Sequence, residues 1–261
     1  MLIYHPVKSK ILTPYIHKIY SINNHSTTTY KCLPSVYPLL TFLFDSELKY
    51  YSNKFEVLKR ENRIEGHLIL PLKEATEVIT EGYTREISIV FQPFAISNFY
   101  SPKTNIHQAD QLINPLIIWR DKFNQLKQSL SDSTSSLEKK IDQISSFLEN
   151  LLLENKTQTE PKSPEEIYQS LKKSPPRSYH RKFSELAFVS PKQFEKIVRF
   201  RNTIHQAKSN DFEILTQILY DQGYYDQSHF NRDCKFISKI TPKKLLKKQV
   251  VPKHDVLWCK D

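Results

Sequence analysis

The sequence predicts an α+β chain in two domains, a β-rich amino-terminal domain closed by helices and an all-α carboxy-terminal domain. Three observations carry this. Short apolar and aromatic runs, separated by Pro, Asn, Ser or isolated Gly, fill residues 1 to about 105. From Asn105 the apolar spacing becomes helical and stays so. Charge is divided unevenly: of the formal net +10, residues 161–261 hold 20 basic against 11 acidic side chains, and the rest is nearly neutral. At 261 residues, each domain is long enough for its own core.

In the first domain the strand candidates are Ile11 to Ile22, Tyr37 to Phe44, Phe55 to Leu58, His67 to Leu70, Glu77 to Ile79 and Glu86 to Phe91. Short strands at this spacing suggest a sandwich or small barrel. Its interior has room for a small ligand, with Tyr4, Tyr20, Tyr37, Phe42 or Phe91 able to line it or simply to fill the core. Next come two helices, the first carried by Leu112, Ile113, Leu116, Ile117 and Phe123. The second is carried by Leu137, Ile141, Ile144, Phe147, Leu148 and Leu151, after a break at Ser131 to Ser136. These elements define a domain over 1–155. The polar, Pro-containing stretch 156–163 reads as a linker.

Residues 164–250 form the second domain. Ser163-Pro164 opens a helix over Glu165 to Leu171, a cap followed by a proline at the first helical position. Ser174-Pro175-Pro176 stops it and starts another, Arg177 to Ala187, with Tyr179, Phe183, Leu186 and Ala187 inside and Arg177, His180, Arg181 and Ser184 outside. A connecting helix runs from Ser190 to Ile204 on Phe194, Ile197, Val198 and Ile204. The pattern then repeats. Asn210 to Gln222 is amphipathic through Ile214, Leu215, Ile218 and Leu219, with Asn210 or Asp211 as its cap, and Gly223 supplies the turn. A last helix buries Phe230, Cys234 and Ile237 and shows Gln227, Ser228, Asn231, Arg232 and Lys235 to solvent; His229 is either packed or at the helix start. Helix, tight turn, and a helix with a hydrogen-bonding face make a helix-turn-helix unit. Amides read adenine, Arg reads guanine and Ser reads either, so the predicted DNA-binding residues are Arg177, His180, Arg181, Gln227, Ser228, Asn231, Arg232 and Lys235. A rigid connector would hold two such helices for successive major-groove faces, about 34 Å apart.

The stretch from about Ser163 to Lys248 resembles the tandem helix-turn-helix domain of the AraC/XylS family of bacterial transcription regulators. The matching residues are Arg181-Lys182-Phe183, Val189-Ser190-Pro191, Arg199-Phe200, Gly223-Tyr-Tyr-Asp-Gln-Ser-His-Phe-Asn-Arg232, Lys235 and Ile240-Thr241-Pro242. Four positions depart from the family pattern: Pro176 replaces a capping Ser (leaving Ser174 as the alternative cap), Phe188 and Lys239 replace turn glycines, and Cys234 replaces Phe. These departures bear on turn geometry and on how firmly the first motif engages DNA, more than on the fold. The resemblance implies base contacts from Arg177, His180, Arg181, Gln227, Ser228, Asn231 and Arg232, and phosphate contacts from flanking Lys and Arg. It also implies a cupin-like amino-terminal domain that senses a small-molecule effector, helices that pair subunits unless they pack on their own β-domain, an activator rather than a repressor, and RNA polymerase as a further partner. Either a monomer or a homodimer is compatible with it.

Other chemistry is excluded by what the residues lack. The three glycines, at 66, 82 and 223, are isolated, so no P-loop, GxGxxG or GxSxG motif exists. Cys32, Cys234 and Cys259 have no metal-site spacing, and no HxH, HExxH or CxxC occurs. No catalytic residue, metal or cofactor is therefore expected. Scattered cysteines, the absence of an apolar leader at Met1 to Lys8 and the absence of a membrane-length apolar run predict a soluble cytoplasmic protein. The main rival is a non-specific architectural or RNA-binding protein that uses only the positive charge; a cupin-type enzyme targeted to DNA is a weaker one.

Overall fold

A bulge in one hairpin shapes the amino-terminal domain. The computed structural model describes residues 1–51, 53–101, 104, 106, 111–156, 160–209, 215–247, 250–251 and 258–260. Strands β4 (Leu39–Tyr51) and β5 (Lys54–Ile69) pair antiparallel, but their register jumps between Phe44 and Ser46. There Asp45 takes φ 54°, and its carboxylate accepts from Asn62 N at 3.0 Å and from Arg85 Nη2. A bulge bends the strand that carries it and increases local twist. On one side of the bend, β4 residues 39–44 pair with β7 (Thr84–Phe91). On the other, β5 residues 54–57 pair in parallel with β6 (Thr76–Thr80). The sheet therefore curls. Its order is β1 (Leu2–His5), β2 (Ile16–Asn24), β7, β4, β5, β6, β3 (Thr28–Cys32), β10 (Trp258–Lys260) and β9 (Val250–Val251), with β8 (Leu112–Ile113) on β5.

Alternation along the strands divides the side chains between two compartments. Leu40, Phe42 and Phe44 of β4 and Ile87, Ile89 and Phe91 of β7 form the main core, covered by helices α1 (Leu116–Leu130) and α2 (Leu137–Lys156). Leu39, Thr41 and Leu43, with Glu86 and Val90, face into the curl instead. Trp119 and Phe123 of α1 and Ile141, Ile144, Leu148 and Leu151 of α2 lie in that main core, so both helices pack on their own sheet. Gly66 allows the approach: a Cβ there would sit 2.3 Å from the Phe123 ring.

The carboxy-terminal region is α3 (Pro164–Lys172), α4 (Pro176–Ala187), α5 (Pro191–Ser209), α6 (Leu215–Asp221), α7 (Gln227–Ser238) and α8 (Pro242–Lys247). Ser163 and Glu166 form a reciprocal capping box on α3. Ser174 does not cap α4. Pro175 occupies that position with no side-chain bond, and the Ser174 hydroxyl turns back 3.5 Å from Ser170 O. The expected caps Asn210 and Asp211, and Ile214, lie outside the described residues.

The two regions dock through several contacts, of which three stand out. Phe94, in the left-handed conformation at φ 69°, enters the first helical core, stacking on Tyr168 and Phe194 and meeting Phe183 edge-on. Leu33 enters the second core beside Phe200, Tyr224 and Phe230, and buried Arg201 donates to Pro34 O at 2.8 Å. Asn98 clamps the connecting chain, accepting from Lys162 N and donating to Lys162 O, both at 3.1 Å. The strand set also differs from the sequence reading. β1, β3, β9 and β10 were not expected, Leu112 and Ile113 form a strand rather than helix, and Phe55–Leu58 and residues 67–69 belong to one long strand that ends before Leu70.

Candidate nucleic-acid interface and ligand cavity

Each helix-turn-helix unit is a pair of helices around an aromatic centre. In the first, α3 and α4 enclose Leu171, Phe183, Ala187 and Val189. In the second, α6 and α7 enclose Leu219, Tyr224, Phe230, Cys234 and Ile237 against α5. Gly223 takes φ 76° between α6 and α7, where an L side chain would be strained. Asp226 then caps α7, accepting from His229 N at 2.6 Å.

Burying those residues turns the opposite faces outward. Arg177, His180 and Arg181 on α4 are exposed, as are Gln227, Ser228, Asn231, Arg232 and Lys235 on α7. Arg181 is engaged within its own helix, donating to Glu185 Oε1 at 2.8 Å, an exposed pair that a stronger anion can displace. His229 is partly packed at the helix start, edge-on to Tyr224 with ring centroids 5.1 Å apart.

One acid holds α7 to the connector α5. Asp233 is buried on the inner side of α7, with Lys196 Nζ at 2.8 Å and Arg199 Nη2 at 3.4 Å, both from α5. Arg199 also lies over the Tyr224 ring at 4.8 Å, and burial pushes the Tyr224 phenol well up. In the sequence, the one sign of this role for Asp233 is its place on the same stripe as Phe230, Cys234 and Ile237. Phe188 and Lys239, which stand where glycines were expected, both adopt the left-handed conformation (φ 61° and 58°). The turns keep their shape without glycine. Phe188 is buried in the main core of the β-domain, and Lys239 reaches Glu74, in the loop between β5 and β6, at 3.4 Å, so each side chain ties a strained turn to the amino-terminal domain.

The curl of the sheet holds a cavity of about 100 Å³. Tyr20, Tyr30, Tyr37, Phe55, Leu33 and Val78 are among its walls. Of the five aromatics considered from sequence, Tyr20 and Tyr37 line it, whereas Phe42 and Phe91 face the helices and Tyr4 packs near Tyr20 at 6.4 Å. Cys32 is also in the wall, its thiol pushed up to about 12 by burial first and Glu86 second, so it is no ready nucleophile. Among the described residues no group of His, Cys, Asp and Glu is set to hold a metal, and no helix is long and apolar enough to cross a membrane.

Among solved structures, ToxT from Vibrio cholerae is similar over 87% of this chain and 97% of its own, at 14% identity and a TM-score of 0.38. Unsaturated fatty acid-bound wild-type ToxT from Vibrio cholerae strain SCE256 is similar over 87% and 94%, at 13% identity and a TM-score of 0.37. No family model matches the chain, and no curated protein sequence matches it significantly.

Proposed function

We propose that this chain is a sequence-specific, double-stranded-DNA-binding transcription regulator of the AraC/XylS type, with residues 164–250 as its DNA-binding domain. The observation that carries the reading is the pair of helix-turn-helix units on one connector, with Arg177, His180 and Arg181 exposed on α4 and Gln227, Ser228, Asn231, Arg232 and Lys235 exposed on α7. Side chains of these types discriminate base edges, each good bidentate pair contributing roughly 1–3 kcal/mol. The basic excess of the same third of the chain supplies the phosphate term. The amino-terminal domain, residues 1–155, is the regulatory part, and its cavity is the effector site. Leu33 is common to the cavity wall and the second helical core. A ligand that prefers one position of Leu33 thereby biases the pose of α7, and differential affinity of this kind is what shifts an equilibrium. In the cell the regulator acts as an activator, with RNA polymerase as its partner.

Selection of bound sites from a random DNA pool, followed by competition with unselected DNA, tests the reading. A regulator enriches one site and binds it at least about a thousandfold more tightly than random DNA. Equal binding to both would leave only an architectural, charge-driven protein. Salt dependence does not separate the two, since phosphate neutralisation makes both sensitive.

A further inference from the structure

Glu86 gives the cavity a chemical preference. Its strand neighbours on the same face are Thr84 and Ser88, and strand register sets Tyr20 of β2 and Thr41 of β4 directly across from Ser88 on either side. Ser88 Oγ lies 2.5 Å from Glu86 Oε1 and 2.8 Å from Thr41 Oγ1. An ionised carboxyl can only accept, so Ser88 gives it its one proton, and Thr41 hydrogen-bonds to it as well. Tyr20 also hydrogen-bonds to that carboxyl. Every other side chain in the described wall of the cavity is uncharged in its ordinary state, and most are apolar or aromatic. A carboxylate kept in such surroundings loses hydration that three hydroxyls only partly replace, and burial accordingly raises its proton affinity. A cation restores the lost stabilisation most fully, through charge-assisted hydrogen bonds and contact with aromatic faces. An anion would meet like charge there.

Size narrows the class further. About 100 Å³ is smaller than the engineered cavity of roughly 150 Å³ that accepts benzene. One ring or a short branched chain fits with modest widening.

We propose that the cavity binds a small primary amine with an apolar body, its ammonium on Glu86 and its body among Tyr20, Tyr30, Phe55 and Val78. This deepens the effector reading above and rests on it. The probes are benzylamine, benzyl alcohol and benzoate, which share a ring and differ in the polar group. Each is titrated into the full chain by calorimetry and thermal melting. Benzylamine binds and raises the melting temperature, with at least about tenfold greater affinity than either analogue. Glu86→Gln reduces benzylamine affinity by about tenfold or more and leaves benzyl alcohol within about twofold. Should that variant fail to fold, the comparison of the three probes on the unmodified chain decides by itself. Benzoate or benzyl alcohol binding as tightly as benzylamine, or no binding of benzylamine, overturns the proposal. Selective DNA binding is measured on the same preparation. Its absence sinks the regulator reading whatever the cavity prefers, whereas its presence without a preference for the amine sinks the amine assignment alone.

Discussion

Asp233→Ala tests what orients α7. The side chain is 5% exposed and is held by Lys196 at 2.8 Å and Arg199 at 3.4 Å, which are 27% and 28% exposed. Removing one partner of a fully buried ion pair costs about 3–5 kcal/mol, mainly because the other charge is stranded. Here both cations keep some access to water, and Lys196 retains the Phe236 ring at 4.9 Å, which lowers the expectation to about 2–3 kcal/mol. The helical region is docked on the sheet through Leu33 and Arg201, so it melts with the rest of the chain. At roughly 2–4 °C per kcal/mol for a chain of this size, the melting temperature falls by about 5–10 °C. Urea denaturation and calorimetry measure this, and binding to the selected site should weaken in parallel as α7 loses its anchor. Adding Lys196→Met to Asp233→Ala should recover part of the loss, because one stranded charge is then gone. A fall below about 1 °C, or purely additive effects in the double variant, would refute the view of Asp233 as an electrostatic clamp.

Four other outcomes follow from the same structure. Arg232→Ala should relax preference at one or two base pairs while the fold survives, measured by repeating the site selection; uniform weakening on all sequences would mark a phosphate contact instead. Phe94→Ala empties the centre of the first helical core and should cost about 3–5 kcal/mol in denaturant melts, with faster proteolysis between the two regions. Lys239→Gly removes left-handed strain of about 1–2 kcal/mol and loses an ion pair with Glu74 that is about half exposed and contributes at most about 1 kcal/mol, so a small rise in stability is expected from urea melts. Burial opposes ionisation of Glu65, but hydrogen bonds from His67, the Leu48 amide and Arg63 outweigh it and hold the carboxyl down at about 2. Since that lies below the unfolded value, its contribution is present above about pH 4.5 and is lost as pH falls toward 2. Glu65→Gln should flatten the stability curve in that window, as read from melts across pH.

The carboxy-terminal fold was legible because its signals are local. Ser163-Pro164, Ser190-Pro191 and Gly223 mark helix boundaries through backbone chemistry that acts within a few residues, and the Phe230, Cys234, Ile237 stripe sets the inner face of α7. The outward faces followed by geometry. The sheet was less legible: β1 and β3 are short, and polar residues of β5 pair where the hairpin bends at Asp45, so alternation alone split one strand into two. Ser174 failed as a cap because the two prolines fix the chain before α4 in an extended entry that its hydroxyl cannot bridge.

From composition and spacing alone came the division into a nearly neutral β-rich part and a basic helical part, and which side chains of α4 and α7 face outward. Periodicity and caps decide such things over one or two turns of chain. The cavity around Glu86, the Asp233 clamp and the passage of Phe94 and Leu33 into the helical cores required the folded chain. Each joins residues far apart in sequence, and only the packing of strands and helices in the folded chain brings them into contact.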